Sequence, residues 1–430
     1  MLVMLIGLFF GLMIFLGVPL FGSIVCAVVL LPLVFSSCPY GVAEIADWAV
    51  SGANYSAGIP IVVFIISGAL MSKGKLTQKI FDIFDYFLGD KTGFMPIISI
   101  MTAMFYSAIS GSATAVAAAV GGMCYPILIE MGYEPAFCAV ILMCAGVLGF
   151  LIPPSTPLTS GAGFVSLDLL TVYKGGAVLG IAIGVVLILY SYIYCRRHGN
   201  GDPEIIHNHH MKVRSRGFVA VFKDGIWALL CPVLILGLIF SGLTTVAQTA
   251  VISVIYAIII CVFVYKTLDF SGCIETIQNA IRDSLPMLVM LMCALILSSC
   301  MKALDAPTMI ANAIANMGIG VTAVIALILL AMTLLGAFMD SGAAMAMLVP
   351  VVVPVAAAMG ANPYALLVAV VAVQSMGLIT PPFGLVLFMF LSLTKQPLGK
   401  LVKQLIVPFI LFMAMACLFC MVPGLTSWLF

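Results

Sequence analysis

Thr380 stands immediately before two consecutive prolines, in "GLITPPFGLV" (Gly377–Val386). Ser155 and Thr156 stand immediately after two others, in "GFLIPPSTPL" (Gly149–Leu158). Both stretches interrupt long apolar sequence. Proline supplies no backbone N–H and crowds the preceding turn, so carbonyls there lose their helical partners. In hydrocarbon each unpaired backbone group costs roughly several kcal/mol. Exposed carbonyls with a hydroxyl beside them suit a hard cation such as sodium. The competing role for Thr380 is a hydrogen bond back to its own helix. Ser110 and Ser112, in "SAISGSATA" (Ser107–Ala115), offer oxygen ligands or simply permit close helix packing. Asp340, in "GAFMDSGAA" (Gly336–Ala344), is a carboxylate well inside apolar sequence. Intramembrane acids are expensive and usually functional. Its structural alternative is to accept from hydroxyls or backbone N–H groups at a bend.

The elements that position these residues belong to a membrane. The 430 residues are 64% hydrophobic and 8% charged. A soluble chain is about half apolar and about a quarter charged. Apolar runs recur, among them Ile59–Met71, Val178–Tyr194, Val246–Tyr265, Val321–Met339 and Leu405–Met421. A spanning helix needs roughly 20 apolar residues, so about ten or more membrane segments are expected, some shorter than a full span. The first 35 residues are too long and apolar for a cleavable signal peptide and lack a basic start. "LGVP" at Leu16–Pro19 predicts a break within or between two early helices. A formal net charge of +1 says nothing about nucleic acid, but no basic stripe interleaved with aromatics is seen, and no nucleic-acid partner is expected. The 13 cysteines lie scattered in apolar sequence, and the Cys417/Cys420 pair reads as small buried hydrophobes.

One polar connection, Cys195–Gly217, carries five Lys/Arg residues and all four histidines. Its basic excess predicts a cytoplasmic location. His207, His209 and His210 have metal-ligand chemistry, but no thiolate or carboxylate framework surrounds them in sequence, and a solvated linker is expected. This connection divides the chain into residues 1–195, a loop at 196–223 and residues 224–430.

The two halves are copies. Pro126, Gly132, Pro135, Gly149, Pro153 and Pro154 recur 228 residues later as Pro354, Gly360, Pro363, Gly377, Pro381 and Pro382. Upstream, "SGALMSKGKLTQKIFDIFDYFLGD" and "LSSCMKALDAPTMIANAIANMGIG" share an apolar segment, a polar link and an amphipathic stretch. Each half therefore predicts an apolar helix, an interfacial amphipathic helix, and a segment broken at small residues. A short helix, a Gly-x-x-Pro turn and a helix broken at Pro-Pro follow. The small-residue break reads as a re-entrant hairpin.

The fold class is thus an all-α polytopic membrane protein of two inverted repeats with re-entrant hairpins. Secondary transporters place their sites where such repeats meet near the midplane. A channel would need a filter or charged ring. An intramembrane enzyme would need a second catalytic partner, and all histidines fall in one loop. No GxxxxGK[ST] loop exists for ATP.

The motifs "FYSAISGSATA", "GYEPAFCAVILMCAGVLGFLIPPSTPL", "LLGAFMDSGAAMAMLVPVVVPVA" and "SMGLITPPFGLVLF" resemble the large membrane subunit of TRAP (tripartite ATP-independent periplasmic) transporters over nearly the whole chain. The resemblance implies an elevator-type, sodium-coupled uptake system of the bacterial inner membrane. Its cargo would be an organic acid, such as a C4-dicarboxylate or sialic acid, delivered by a periplasmic binding protein. A small four-helix membrane subunit would be a separate partner chain, and no cofactor beyond coupling sodium ions is expected. It places the hairpins at Ser107–Glu130 and Gly336–Met359. It implies a sodium site at Gly336, Gly377, Thr380 and Phe383. The internal repeat extends this to Ser110, Ser112, Gly149, Ile152 and Ser155. Substrate would meet Ser110, Ser112, Thr114, Ser155, Thr156, Asp340 and Ser341. Two departures bear on cargo: one serine followed by Ala-Thr replaces a serine pair in "SGSATA", and Thr156 replaces a more usual isoleucine. The other reading is an organic anion transporter that is proton-coupled or independent of a binding protein. With proton coupling, Asp340 would titrate.

Overall fold

The computed structural model describes residues 20–35, 38–53, 58–198, 201–338, 341–382 and 384–430. The predicted break at Leu16–Pro19 lies outside them. The described residues form helices joined by short turns, with no strand among them. Among the described residues, eight helices are long and apolar enough to cross a membrane, or nine if one bent pair counts as a span. Five shorter apolar helices of 10–17 residues accompany them. The expected mixture of full spans and half-spans is therefore present.

The first half contains α1 (Leu20–Val34), α2 (Val42–Ala53), α3 (Gly58–Lys73), α4 (Leu76–Leu88) and α5 (Phe94–Ser110). It continues with α6 (Ala113–Glu130), α7 (Pro135–Gly146), α8 (Thr156–Val165) and α9 (Leu169–His198). After α10 (Pro203–Ser215), the second half runs α11 (Phe218–Ser241), α12 (Val246–Ile258), α13 (Phe270–Ala303), α14 (Ala306–Asn316) and α15 (Val321–Phe338). Then come α16 (Ser341–Ala358), α17 (Pro363–Gly377), α18 (Leu385–Thr394) and α19 (Leu398–Met421).

Equivalent residues do equivalent work in the two copies. The spanning helix α3 turns into the amphipathic α4 with a bend of 66°. Lys75 makes that turn at a φ of 56°, and Asp305 makes the α13–α14 turn at 50°. Gly132 and Gly360, at φ of +80° and +94°, end the second hairpin arms. Pro135 and Pro363 then occupy the first turns of α7 and α17, where a missing N–H is harmless. Asn362 caps α17 through the Tyr364 and Ala365 N–H groups. The Pro153–Pro154 and Pro381–Pro382 bonds are both cis.

The predicted hairpins start earlier than Ser107 and Gly336. Those residues approach the tips, and the first arms are α5 and α15, each packed against the returning arm α6 or α16. The most buried helices, α7 and α17, precede the two Pro-Pro breaks. Around this centre, α3, α11, α12 and α13 pack on one another as a frame.

The Cys195–Gly217 connection departs from the expected solvated linker. It contains the helix α10, started by Asp202 accepting from the Glu204 N–H. Helix α10 docks on the arm α4. His210 is buried, with Nδ1 3.3 Å from Oδ1 of the equally buried Asp85. His209 Nε2 lies 3.6 Å from the other Asp85 oxygen. His207 bonds Asp90 at 2.7 Å and holds its carboxyl below the usual carboxylate range. Arg216 grips Asp82 and Asp224, at 2.6 and 2.8 Å. The histidines thus face single carboxylates on α4 and its end, because helix α10 aims them at that arm. Among the described residues no group of three or more His, Cys, Asp or Glu is arranged to hold a metal. Cys417 and Cys420 are half-buried free thiols.

Candidate functional site

The first hairpin tip sits on the first Pro-Pro break. Gly111 caps α5 with a φ of +64°, and a β-carbon there would come 2.5 Å from the Pro154 carbonyl. Only glycine meets both demands. The Gly111 carbonyl accepts from the Thr156 N–H and the Thr156 hydroxyl, each at 3.1 Å. Ser155 starts α8: its hydroxyl accepts from the Leu158 N–H at 3.2 Å and donates to the Phe150 carbonyl at 2.5 Å. Gly149 lies under the tip, where a β-carbon would be 2.9 Å from the Ser112 carbonyl. The structure therefore brings Ser110, Ser112, Gly149, Ser155 and Thr156 together. The Ile152 side chain turns away, against Gly180 of α9.

Helix α6 starts at this tip without a side-chain cap. Its Ser112 hydroxyl instead pairs with the Thr114 hydroxyl at 3.1 Å. The first N–H groups of a helix have no intrahelical acceptor, and together they attract an anion.

A cavity of about 540 Å3 opens beside the tip. Ser110, Ser112 and Thr114 line it from the hairpin, Thr156 from the break, and Ser72 and Lys73 from the end of α3. Thr276, Asn279 and Asp283 face it from α13. A pocket of about 70 Å3, sharing Thr156 and Met287 with it, reaches Gly342 of the second hairpin. The two repeats thus meet around Thr156. Lys73, Thr276, Asn279 and Asp283 escaped the reading by motif. The α13 residues carried a signal: polar side chains spaced three and four apart on one face of an apolar helix. Lys73 carried none, since only folding brings the α3–α4 link to the hairpin.

The second hairpin meets α17 backbone to backbone. A β-carbon on Gly377 would lie 2.4 Å from the Gly336 carbonyl carbon. The Thr380 N–H bonds the Gly377 carbonyl at 3.1 Å, and its hydroxyl donates to the Met376 carbonyl at 2.7 Å. The back-bond uses the hydroxyl hydrogen and leaves oxygen lone pairs. Gly384 lets the chain pass the Thr380 carbonyl, 2.8 Å from where its β-carbon would be. Gly336, Gly377 and Thr380 therefore converge. Ser341 is buried at the start of α16. Asp340 and Phe383 lie outside the described residues.

Residues 6–425 match the family described as "Tripartite ATP-independent periplasmic transporter, DctM component". The chain belongs to that family. It is the large permease component of a TRAP transporter, a bacterial inner-membrane transporter and not an enzyme. The chain is 29% identical to the isethionate TRAP transporter permease protein DctMQ of Oleidesulfovibrio alaskensis, over 97% of this chain and 64% of that protein. It therefore spans less than two thirds of that relative's length. It is 28% identical to the C4-dicarboxylate TRAP transporter large permease protein DctM of Pseudomonas aeruginosa, over 80% and 79% of the two chains. Against the sialic acid TRAP transporter large permease protein SiaM of Vibrio cholerae it is 27% identical, over 96% of each. The crystal structure of the Alcanivorax borkumensis YdaH transporter shares the fold, with a TM-score of 0.66, 13% identity and 90% coverage of both chains. The family implies a small membrane subunit and a periplasmic binding protein as partners.

Proposed function

We propose that this TRAP permease takes up a small organic acid, driven by sodium and delivered by a periplasmic binding protein, through elevator movement of the hairpin-bearing core against the α3/α11–α13 frame. The observation that carries the reading is the cavity at the first hairpin tip. Ser110, Ser112, Thr114, Thr156 and Lys73 line it beside the uncapped start of α6, with Asp283 on the α13 side. A carboxylate or sulfonate fits such a set: backbone N–H groups and a cation hold the anionic oxygens, and hydroxyls fix their orientation. The cavity holds a molecule of small-acid size, and its apolar walls accept a carbon skeleton.

Sodium is supported by the chemistry of the two breaks. Each supplies carbonyls freed from helical pairing, with Ser155 or Thr380 beside them, and hard cations prefer oxygen. The relatives act on isethionate, C4-dicarboxylates and sialic acid, all anions. A separate four-helix small subunit would brace the frame.

Uptake of labelled succinate, sialic acid and isethionate by proteoliposomes holding the permease, its small subunit and its binding protein tests the cargo class. Saturable uptake of at least one acid is expected, with a half-maximal concentration raised by Lys73→Met. Uptake of neutral sugars instead of acids would contradict it.

A further inference from the structure

Gln374 lies in the last turn of α17, three residues before Gly377. Its side chain is fully buried, and neither its carbonyl oxygen nor its amide nitrogen has a hydrogen-bond partner. Buried amides are normally satisfied. In the hydrocarbon region of a transporter, an unpaired amide marks a place where something polar belongs.

The surroundings say where the amide points. A β-carbon on Gly336 would lie 3.3 Å from the Gln374 amide nitrogen and 2.9 Å from the Gln374 main-chain carbonyl. The Leu378 N–H, which a continuing helix would direct to that carbonyl, bonds Ser375 instead at 3.2 Å. Rotation of the carboxamide about its final bond exchanges oxygen and nitrogen. The side chain can thus present its oxygen on the Gly336 side of the junction, where the amide nitrogen now lies.

The first repeat has no such group. The residue 228 positions before Gln374 is Gly146, where a β-carbon would strike Ala117 at 2.6 Å. A polar side chain cannot fit there, so the two repeats are chemically unequal at this register.

We propose that the Gln374 carboxamide oxygen is a ligand of the coupling cation at the junction of the second hairpin and α17, beside Gly336, Gly377 and Thr380. This rests on the sodium reading of that junction. An amide oxygen adds a neutral ligand to carbonyls and a hydroxyl. The second-repeat site therefore holds sodium more tightly than a site made of main-chain oxygens alone.

The test is thermal stability of the purified permease against sodium chloride, with choline chloride holding ionic strength constant. The wild-type protein, Gln374→Leu and Gln374→Glu are compared. Sodium stabilises the wild type, and Gln374→Leu raises the half-saturating sodium concentration at least tenfold. Gln374→Glu, which keeps an oxygen ligand, lowers that concentration at neutral pH and gains a weakening at acid pH as the carboxyl protonates. If Gln374→Leu does not fold, the Glu variant decides: an unchanged sodium midpoint at every pH overturns the assignment. A Leu variant that is more stable without sodium but keeps the wild-type midpoint overturns it too, leaving the sodium site itself intact. A wild-type protein that sodium does not stabilise overturns both the assignment and the sodium reading beneath it.

Discussion

Gly336 and Gly377 touch backbone to backbone: a β-carbon on Gly377 would lie 2.5 Å from the Gly336 α-carbon and 2.8 Å from the Ala337 nitrogen. Main chain on both sides cannot yield as a flexible side chain would. This contact sets the distance between the second hairpin and the broken helix, and with it the spacing of the carbonyls around Thr380.

Gly377→Ala is therefore expected to destabilise the permease by about 1–3 kcal/mol, the usual range for overpacking, and to abolish transport. Gly237→Ala, in α11 with nothing near its β-carbon, serves as the control. It should gain up to about 1 kcal/mol from helix propensity. Thermal unfolding in detergent measures both. Equal behaviour of the two variants would show that the contact is not rigid.

Much of this arrangement was legible in the sequence because the constraints are local. Proline pairs, the Gly-x-x-Pro turns and the polar links declare themselves in any apolar background, and their recurrence at one offset fixed the register of the copies. What folding adds is proximity across long sequence separations. Thr156 closes on Gly111 and Lys73 reaches the hairpin tip, neither of which follows from spacing. Gln374 was hidden differently: a lone amide in an apolar helix is unremarkable until its neighbours leave it unpaired. The histidine connection misled because its composition reads as solvated, whereas its carboxylate partners lie more than a hundred residues upstream.

Lys73 is the charge that favours an anion in the cavity, and Asp283 lines the same space. Lys73→Met should raise the substrate concentration for half-maximal uptake about tenfold, the equivalent of about 1.4 kcal/mol. Lys73→Arg should retain near-wild-type values, and Asp283→Asn should lower the concentration required. Initial-rate uptake measures all three. Unchanged Lys73→Met kinetics would remove the ammonium from the site.

Burial raises the Asp85 carboxyl above its ordinary value of 3.8, while His209 and His210 of α10 pull it down and Asp82 of α4 pushes it up. A carboxyl that binds its proton more tightly when folded stabilises most below its ordinary value, and that contribution is lost as pH rises through the raised value. Asp85→Asn removes the buried charge and keeps an acceptor for His210. The melting temperature of Asp85→Asn relative to wild type should therefore climb as pH rises from about 4 to about 8. A flat or falling difference would contradict this account of the α4–α10 contact.

The basic excess between residues 196 and 217 predicts that α10 faces the cytoplasm. A cysteine replacing the exposed Glu204 should react with a membrane-impermeant maleimide in inverted vesicles. It should stay unlabelled in intact spheroplasts, and labelling there would invert the topology.

The central claim, sodium-driven uptake of an organic acid, is tested most directly by initial uptake rates in proteoliposomes containing the complete complex and no ATP. The acid used is whichever of succinate, sialic acid or isethionate is transported. With sodium outside and choline inside, uptake should saturate with acid and with sodium, and should collapse when choline replaces the external sodium. Uptake that continues undiminished in choline would contradict sodium coupling.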